Sequence, residues 1–133
     1  MAVLVSHLLN TFLPILLYGL EAVPISNANL CTLQSRWNVA IYKIFKLKNP
    51  SNLYYVQYFM GTLPVNYALD LRKLSFQHNQ SAHHIPVMNL LFSLTASKEF
   101  ELLCKNYSVI QPQAHGRFRA CVWQAFVCYL ASF

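Results

Sequence analysis

Apolar residues recur at helical spacing along most of the chain, and no stretch shows a convincing period-of-two alternation of a half-buried strand. The clearest segment is residues 28–47. At 100° per residue, Leu30, Leu33, Trp37, Ala40, Ile41 and Ile44 fall within an arc of roughly 100°. Arg36, Lys43 and Lys46 lie to one side of that arc, and Ser26 or Asn27 suits the N-cap. Upstream, residues 2–20 predict a mostly apolar helix. It is kinked or restarted at Pro14, which cannot donate to the carbonyl of Asn10, and Gly19 suits its end. A turn over 46–52, with Ser51 as a cap, leads to a short aromatic helix over 53–60 that stops at Gly61. Leu63-Pro64 opens a helix over about 65–78, and the polar run 77–84 reads as a loop. Residues 85–104 continue the helical pattern with Pro86 in the first turn, 111–116 read as a linker, and 117–133 form a last apolar helix. Arg117 and Arg119 stand at its start, where cations oppose the helix dipole and so face a partner or solvent. The sum is an all-α chain of five or six helices in an irregular bundle, divided into regions 1–78 and 79–133.

Composition narrows the function classes. At 133 residues the chain allows one domain and hardly more. It is 56% hydrophobic and 11% charged, too apolar for an ordinary small soluble enzyme and far too apolar to be disordered. Three glycines argue against a turn-rich β sandwich, a phosphate-loop protein or a dinucleotide-binding domain. Four acids against ten Lys and Arg give a net charge of +6, which favours a polyanion or a membrane surface. The acids are Glu21, Asp70, Glu99 and Glu101, so no Asp-Asp pair exists to hold two metal ions. Nothing in their spacing suggests the opposed carboxylates of a glycosidase, and no nucleophile-elbow or metalloprotease motif occurs.

The cysteines and histidines add no firm site. Met1 to His7 lacks the positive start of a signal peptide, so the chain reads as intracellular rather than secreted. Cys31, Cys104, Cys121 and Cys128 then read as free buried thiols. A zinc site drawn from Cys104, His115, Cys121 and Cys128 would have C-x10-H-x5-C-x6-C spacing, without a tight ligand pair to pre-position it. His78, His83 and His84 share a polar loop with no carboxylate or cysteine beside them. No metal, cofactor or small-molecule substrate is expected. Residues 2–20 are just long enough to span a bilayer, but no Lys or Arg precedes Arg36 to anchor such a span. Tyr54, Tyr55 and Tyr58 near Lys46 and Lys48 could be basic-plus-aromatic nucleic-acid contacts, but read better as core tyrosines with wet hydroxyls.

One stretch is more specific than its composition. The segment Leu13-Pro14-Ile15-Leu16-Leu17-Tyr18-Gly19-Leu20-Glu21 resembles the L-P-x-L-L-Y-G-x-E segment of non-LTR (LINE-type) retrotransposon reverse transcriptases, where the thumb begins after the palm. The likeness continues in order through Leu30, Leu33, Trp37-Asn38 and Lys43-Ile44-Phe45-Lys46-Leu47. It extends through Gly61-Thr62-Leu63-Pro64-Val65-Asn66-Tyr67 and Arg72-Lys73-Leu74-Ser75-Phe76, and so covers about residues 8–78. Val23 stands where the family often has tryptophan, and residues 80–133 carry no such likeness. The family's catalytic Y-x-D-D motif, fingers and endonuclease would lie upstream of Met1.

The resemblance implies a thumb-like fragment that is catalytically incompetent alone and touches template–primer nucleic acid weakly, without sequence preference. Arg36, Lys43 and Lys46 are the expected phosphate contacts, with Arg72 and Lys73 as further candidates. The first helix would lack the palm it packs against, which favours self-association or membrane adsorption. A membrane-associated protein anchored by residues 2–20 is the alternative.

Overall fold

The structure, a computed structural model, describes residues 2–82, 84–109 and 115–132. Seven helices and no strands make up the described residues, so the all-α expectation holds with more helices than the five or six read from the pattern.

Helix α1 (Ala2–Leu16) ends earlier than residue 20. Pro14 removes one donor from the helix, and only two helical residues follow it. The Leu17 N–H still reaches Leu13 O at 3.1 Å, after which the chain turns through Gly19 at φ +79°, a left-handed value that favours glycine. Leu9, Leu13 and Leu17, spaced by four, are buried as one stripe, while Val3, Leu4, Leu8, Phe12 and Ile15 are exposed. Ser6 Oγ ties the helix down by donating to Met60 O at 2.9 Å.

Helix α2 (Asn27–Phe45) starts as its cap dictates: the Ser26 side chain accepts from Asn29 N at 3.3 Å. It ends at Lys46, whose left-handed backbone (φ 51°) returns its N–H to Tyr42 O. Trp37 and Ile41 are buried on the predicted apolar arc, whereas Ile44, near its middle but in the last turn of the helix, is exposed. Helix α3 (Asn52–Phe59) lacks the expected side-chain cap from Ser51 and closes through Gly61 at φ +67°. Thr62 holds that closure, its N–H donating to Gln57 O at 2.9 Å.

Helix α4 (Val65–Ser81) is the organising element and packs against α2 and the three helices after it. It runs through Gln77–Ser81, correcting the loop expected there. Gln77 is buried and His78 lies edge-on to Phe118 at 5.4 Å, so tertiary contacts carry this polar run as helix. The boundary placed between residues 78 and 79 falls inside α4. The core draws on both sides of it, from Leu9 to Leu130.

The segment 85–104 is two helices, α5 (Pro86–Thr95) and α6 (Ser97–Asn106), joined at Ala96. Around the joint, Thr95 Oγ1 donates to Leu91 O at 2.6 Å and Ser97 Oγ to Ser93 O at 3.0 Å. Hydroxyls bonded back onto the preceding turn bend helices, and three of them cluster here with Ser93 Oγ on Leu90 O at 2.8 Å. Helix α7 (His115–Ala131) closes the bundle. Phe118, Val122, Phe126 and Leu130, four residues apart, form its buried ridge against α4 and α3. Most of the linker expected over 111–116 lies outside the described residues.

Candidate nucleic-acid interface

The strongest positive feature is on α2. Arg36 and Lys43 are seven residues apart, nearly two full turns, so they rise from one side of the helix about 10 Å apart along its axis. Lys46 follows at the C-cap, where a cation also complements the helix dipole. All three are exposed and form no ion pair among the described residues. Their charge is therefore available to an outside anion.

Arg72 and Lys73 are placed differently. Both lie on α4, and both already hold an acid. Arg72 Nη2 donates to Glu21 Oε1 at 3.2 Å and its Nε to Oε2 at 3.5 Å. Burial alone would raise the Glu21 carboxyl. Hydrogen bonds from its own backbone and from Arg72, the Arg72 charge and the Gly19 backbone together hold it below its ordinary value. Lys73 Nζ donates to Glu99 Oε1 at 2.6 Å, and Gln77 Nε2 donates to Glu99 Oε2 at 2.9 Å. The Lys73 side chain is only 12% exposed. These two cations build the junction of α4 with the turn after α1 and with α6, and have less charge to offer a polyanion than the α2 group.

Asp70 is the interior counterpart. It accepts from the Tyr107 hydroxyl at 2.5 Å. Burial raises its carboxyl and Glu99 adds to the rise, while the Tyr107 bond and Lys73 oppose it; the net shift is upward. Tyr107 is raised too, by burial first and then by the bond and charge of Asp70.

Arg36 also borders an apolar groove of about 440 Å³ between α1 and α2, walled by Phe12, Ile15, Leu16, Trp37 and Ile44. The buried Trp37 Nε1 has no hydrogen-bond partner among the described residues. The tyrosines of α3 face α7 in part: Tyr58 stacks on Trp123 at 5.9 Å and Tyr54 meets Tyr129 edge-on at 5.6 Å. That fits packing better than base stacking.

Arg119 was legible only as a cation near a helix start. The packing of α7 on α4 brings it to the same recess as Arg72, a juxtaposition no local signal announces.

The four cysteines are free thiols, and Cys31 and Cys128 are exposed, which corrects the expectation that all four are buried. Cys104 is half-buried, and burial pushes its thiol up. Among the described residues no three His, Cys, Asp or Glu side chains gather as a metal site; the side chain of His115 and all of His83 lie outside them. No helix among the described residues is long and apolar enough to cross a membrane. Compared with known proteins, the chain matches no family model, no curated protein and no solved structure.

Proposed function

We propose that this chain is a thumb-like module that rests on the backbone of a nucleic-acid duplex, holding it without chemistry of its own. Arg36, Lys43 and Lys46 of α2 provide the phosphate contacts; Arg72 and Lys73 contribute less because Glu21 and Glu99 already neutralise them. The observation that carries the reading is the group of three exposed cations on α2 and its C-cap, which form no ion pair among the described residues, in a chain of net charge +6. The collinear likeness of residues 8–78 to reverse transcriptases of LINE-type retrotransposons supports the choice of a duplex over other polyanions.

Each neutralised phosphate contributes about 0.9 to the slope of log K against log salt. The variant Arg36→Ala/Lys43→Ala/Lys46→Ala therefore lowers the slope for an RNA–DNA duplex by up to about 2.7. Across a fourfold range of salt, wild type and variant then differ in salt sensitivity by roughly 40-fold. Fluorescence anisotropy of a labelled duplex reads this directly. A flat slope for wild type, or an unchanged slope for the variant, removes the proposal.

A second reading, residence at a membrane surface through α1, is favoured by the exposed face of Val3, Leu4, Leu8, Phe12 and Ile15. Flotation with anionic vesicles tests it: wild type floats and Phe12→Ser/Ile15→Ser stays at the bottom. Wild type remaining unbound ends this reading.

A further inference from the structure

A recess of about 400 Å³ opens where α1, α4 and α7 meet. Its walls are aliphatic: Leu13 and Leu17 from the first helix and its turn, and Leu63, Ala68 and Leu71 before and along α4. Three polar side chains also line it, Asn10 from α1, Arg72 from α4 and Arg119 from α7. The Glu21 carboxylate occupies Nε and Nη2 of Arg72 and so fixes the plane of the guanidinium, while Nη1 makes no hydrogen bond among the described residues. Arg119 is exposed and forms no ion pair among the described residues. Asn10 spends one amide hydrogen on Ser6 Oγ at 3.4 Å.

We propose that this recess binds a single-chain amphiphilic anion, its head held by Arg72 and Arg119 and its tail laid on the leucine wall. Three observations select that class. Two guanidiniums from different helices converge on one cavity against a single neutralising acid, so the recess keeps a positive surplus. The leucine wall of the recess carries no aromatic ring, so it offers an alkyl chain contact and a nucleobase no stacking platform. The volume lies within the range of about 300–1,000 Å³ typical of small-molecule sites. The site shares only Arg72 with the surface assigned to the duplex, and needs nothing of that assignment.

The test titrates the whole protein with decanoate below its micelle concentration, by calorimetry. Wild type takes up one decanoate per chain, and binds 1-decanol (tail without charge) and acetate (head without tail) at least tenfold more weakly. Arg119→Glu and Asn10→Asp, at exposed positions on different helices, each weaken decanoate at least tenfold. Arg117→Glu, the same change of charge two residues along α7 but outside the recess, leaves binding within twofold. Helical circular dichroism equal to wild type shows that each variant is folded. The proposal is overturned if Arg119→Glu binds decanoate like wild type, if Arg117→Glu loses as much as Arg119→Glu, or if 1-decanol binds as tightly as decanoate. Equal loss in Arg36→Glu also overturns it, by placing the amphiphile in the groove between α1 and α2.

Discussion

The ion pair between Lys73 and Glu99 is asymmetric, and the asymmetry can be measured. Lys73 is 12% exposed and Glu99 46% exposed, with 2.6 Å between Nζ and Oε1. Removing one partner costs most when the charge left behind cannot reach water. A fully buried pair loses about 3–5 kcal/mol on such a change and an exposed one about 0–1 kcal/mol. Glu99→Gln leaves the enclosed ammonium beside a neutral amide, with only the more distant charge of Asp70 to offset it, so the change falls between these limits, at about 2 kcal/mol. Lys73→Met leaves Glu99 half in water and still accepting from Gln77 Nε2 at 2.9 Å. The methionine keeps most of the apolar stem contacts, so this change costs about 0.5 kcal/mol or less. Urea unfolding followed by circular dichroism at pH 7 reads both. With a slope of about 2 kcal/mol/M, Glu99→Gln lowers the midpoint by about 1 M and Lys73→Met by about a quarter of that. If Lys73→Met costs as much as Glu99→Gln, the stranded-charge reasoning is wrong and the pair contributes by direct attraction alone.

Four further expectations follow from other sites. Glu21 has a folded-state value below its ordinary 4.5, so its contribution is complete above that pH and is lost as pH falls through the lowered value. Glu21→Gln therefore flattens the loss of thermal stability on acidification, and an unchanged acid limb refutes it. Asp70 has the opposite sign: raised above 3.8, it contributes most below that pH and its contribution is lost as pH rises through the raised value. Asp70→Asn should make stability climb more steeply on leaving acid, as read by unfolding midpoints across pH. Lys46→Gly relieves a left-handed backbone at φ 51° and raises stability by up to about 1 kcal/mol, yet weakens duplex binding. Calorimetry and anisotropy on the one variant separate these, and a fall in melting temperature argues against backbone strain at Lys46. Phe126→Ala opens a cavity in a ridge that is fully buried and costs about 3–5 kcal/mol, or loss of cooperative unfolding in near-ultraviolet circular dichroism.

What was legible in the sequence was local. Helix α2 could be read closely because its cap, its apolar arc and its basic flank all agree within twenty residues. The joint at Ala96 could not, because no glycine or proline marks it; hydroxyls at Ser93, Thr95 and Ser97 bend the chain by bonding to their own backbone. The run from Gln77 to Ser81 looked like a loop because composition alone cannot show that Glu99 receives the Gln77 amide. The site shows the same division. Arg36 and Lys43 share one helix and Lys46 caps it, so their common exposure follows from local sequence. Arg72 finds Glu21 across 51 positions and Lys73 finds Glu99 across 26, and only packing reveals that these cations already have partners. Arg119 beside Arg72 belongs to the same class of long-range fact.

Helix α5 is held by little. None of its residues is fully buried, Val87, Leu90, Leu91 and Leu94 face outward, and it leans on α4 and α6. Its backbone amides should trade protons for deuterons through small local openings, long before those of α7, whose Phe118 and Phe126 are wholly enclosed. Helix α5 can thus open locally while the assembly of α4 with α7 stays closed, and a protease that cuts native material within residues 86–95 leaves that assembly standing.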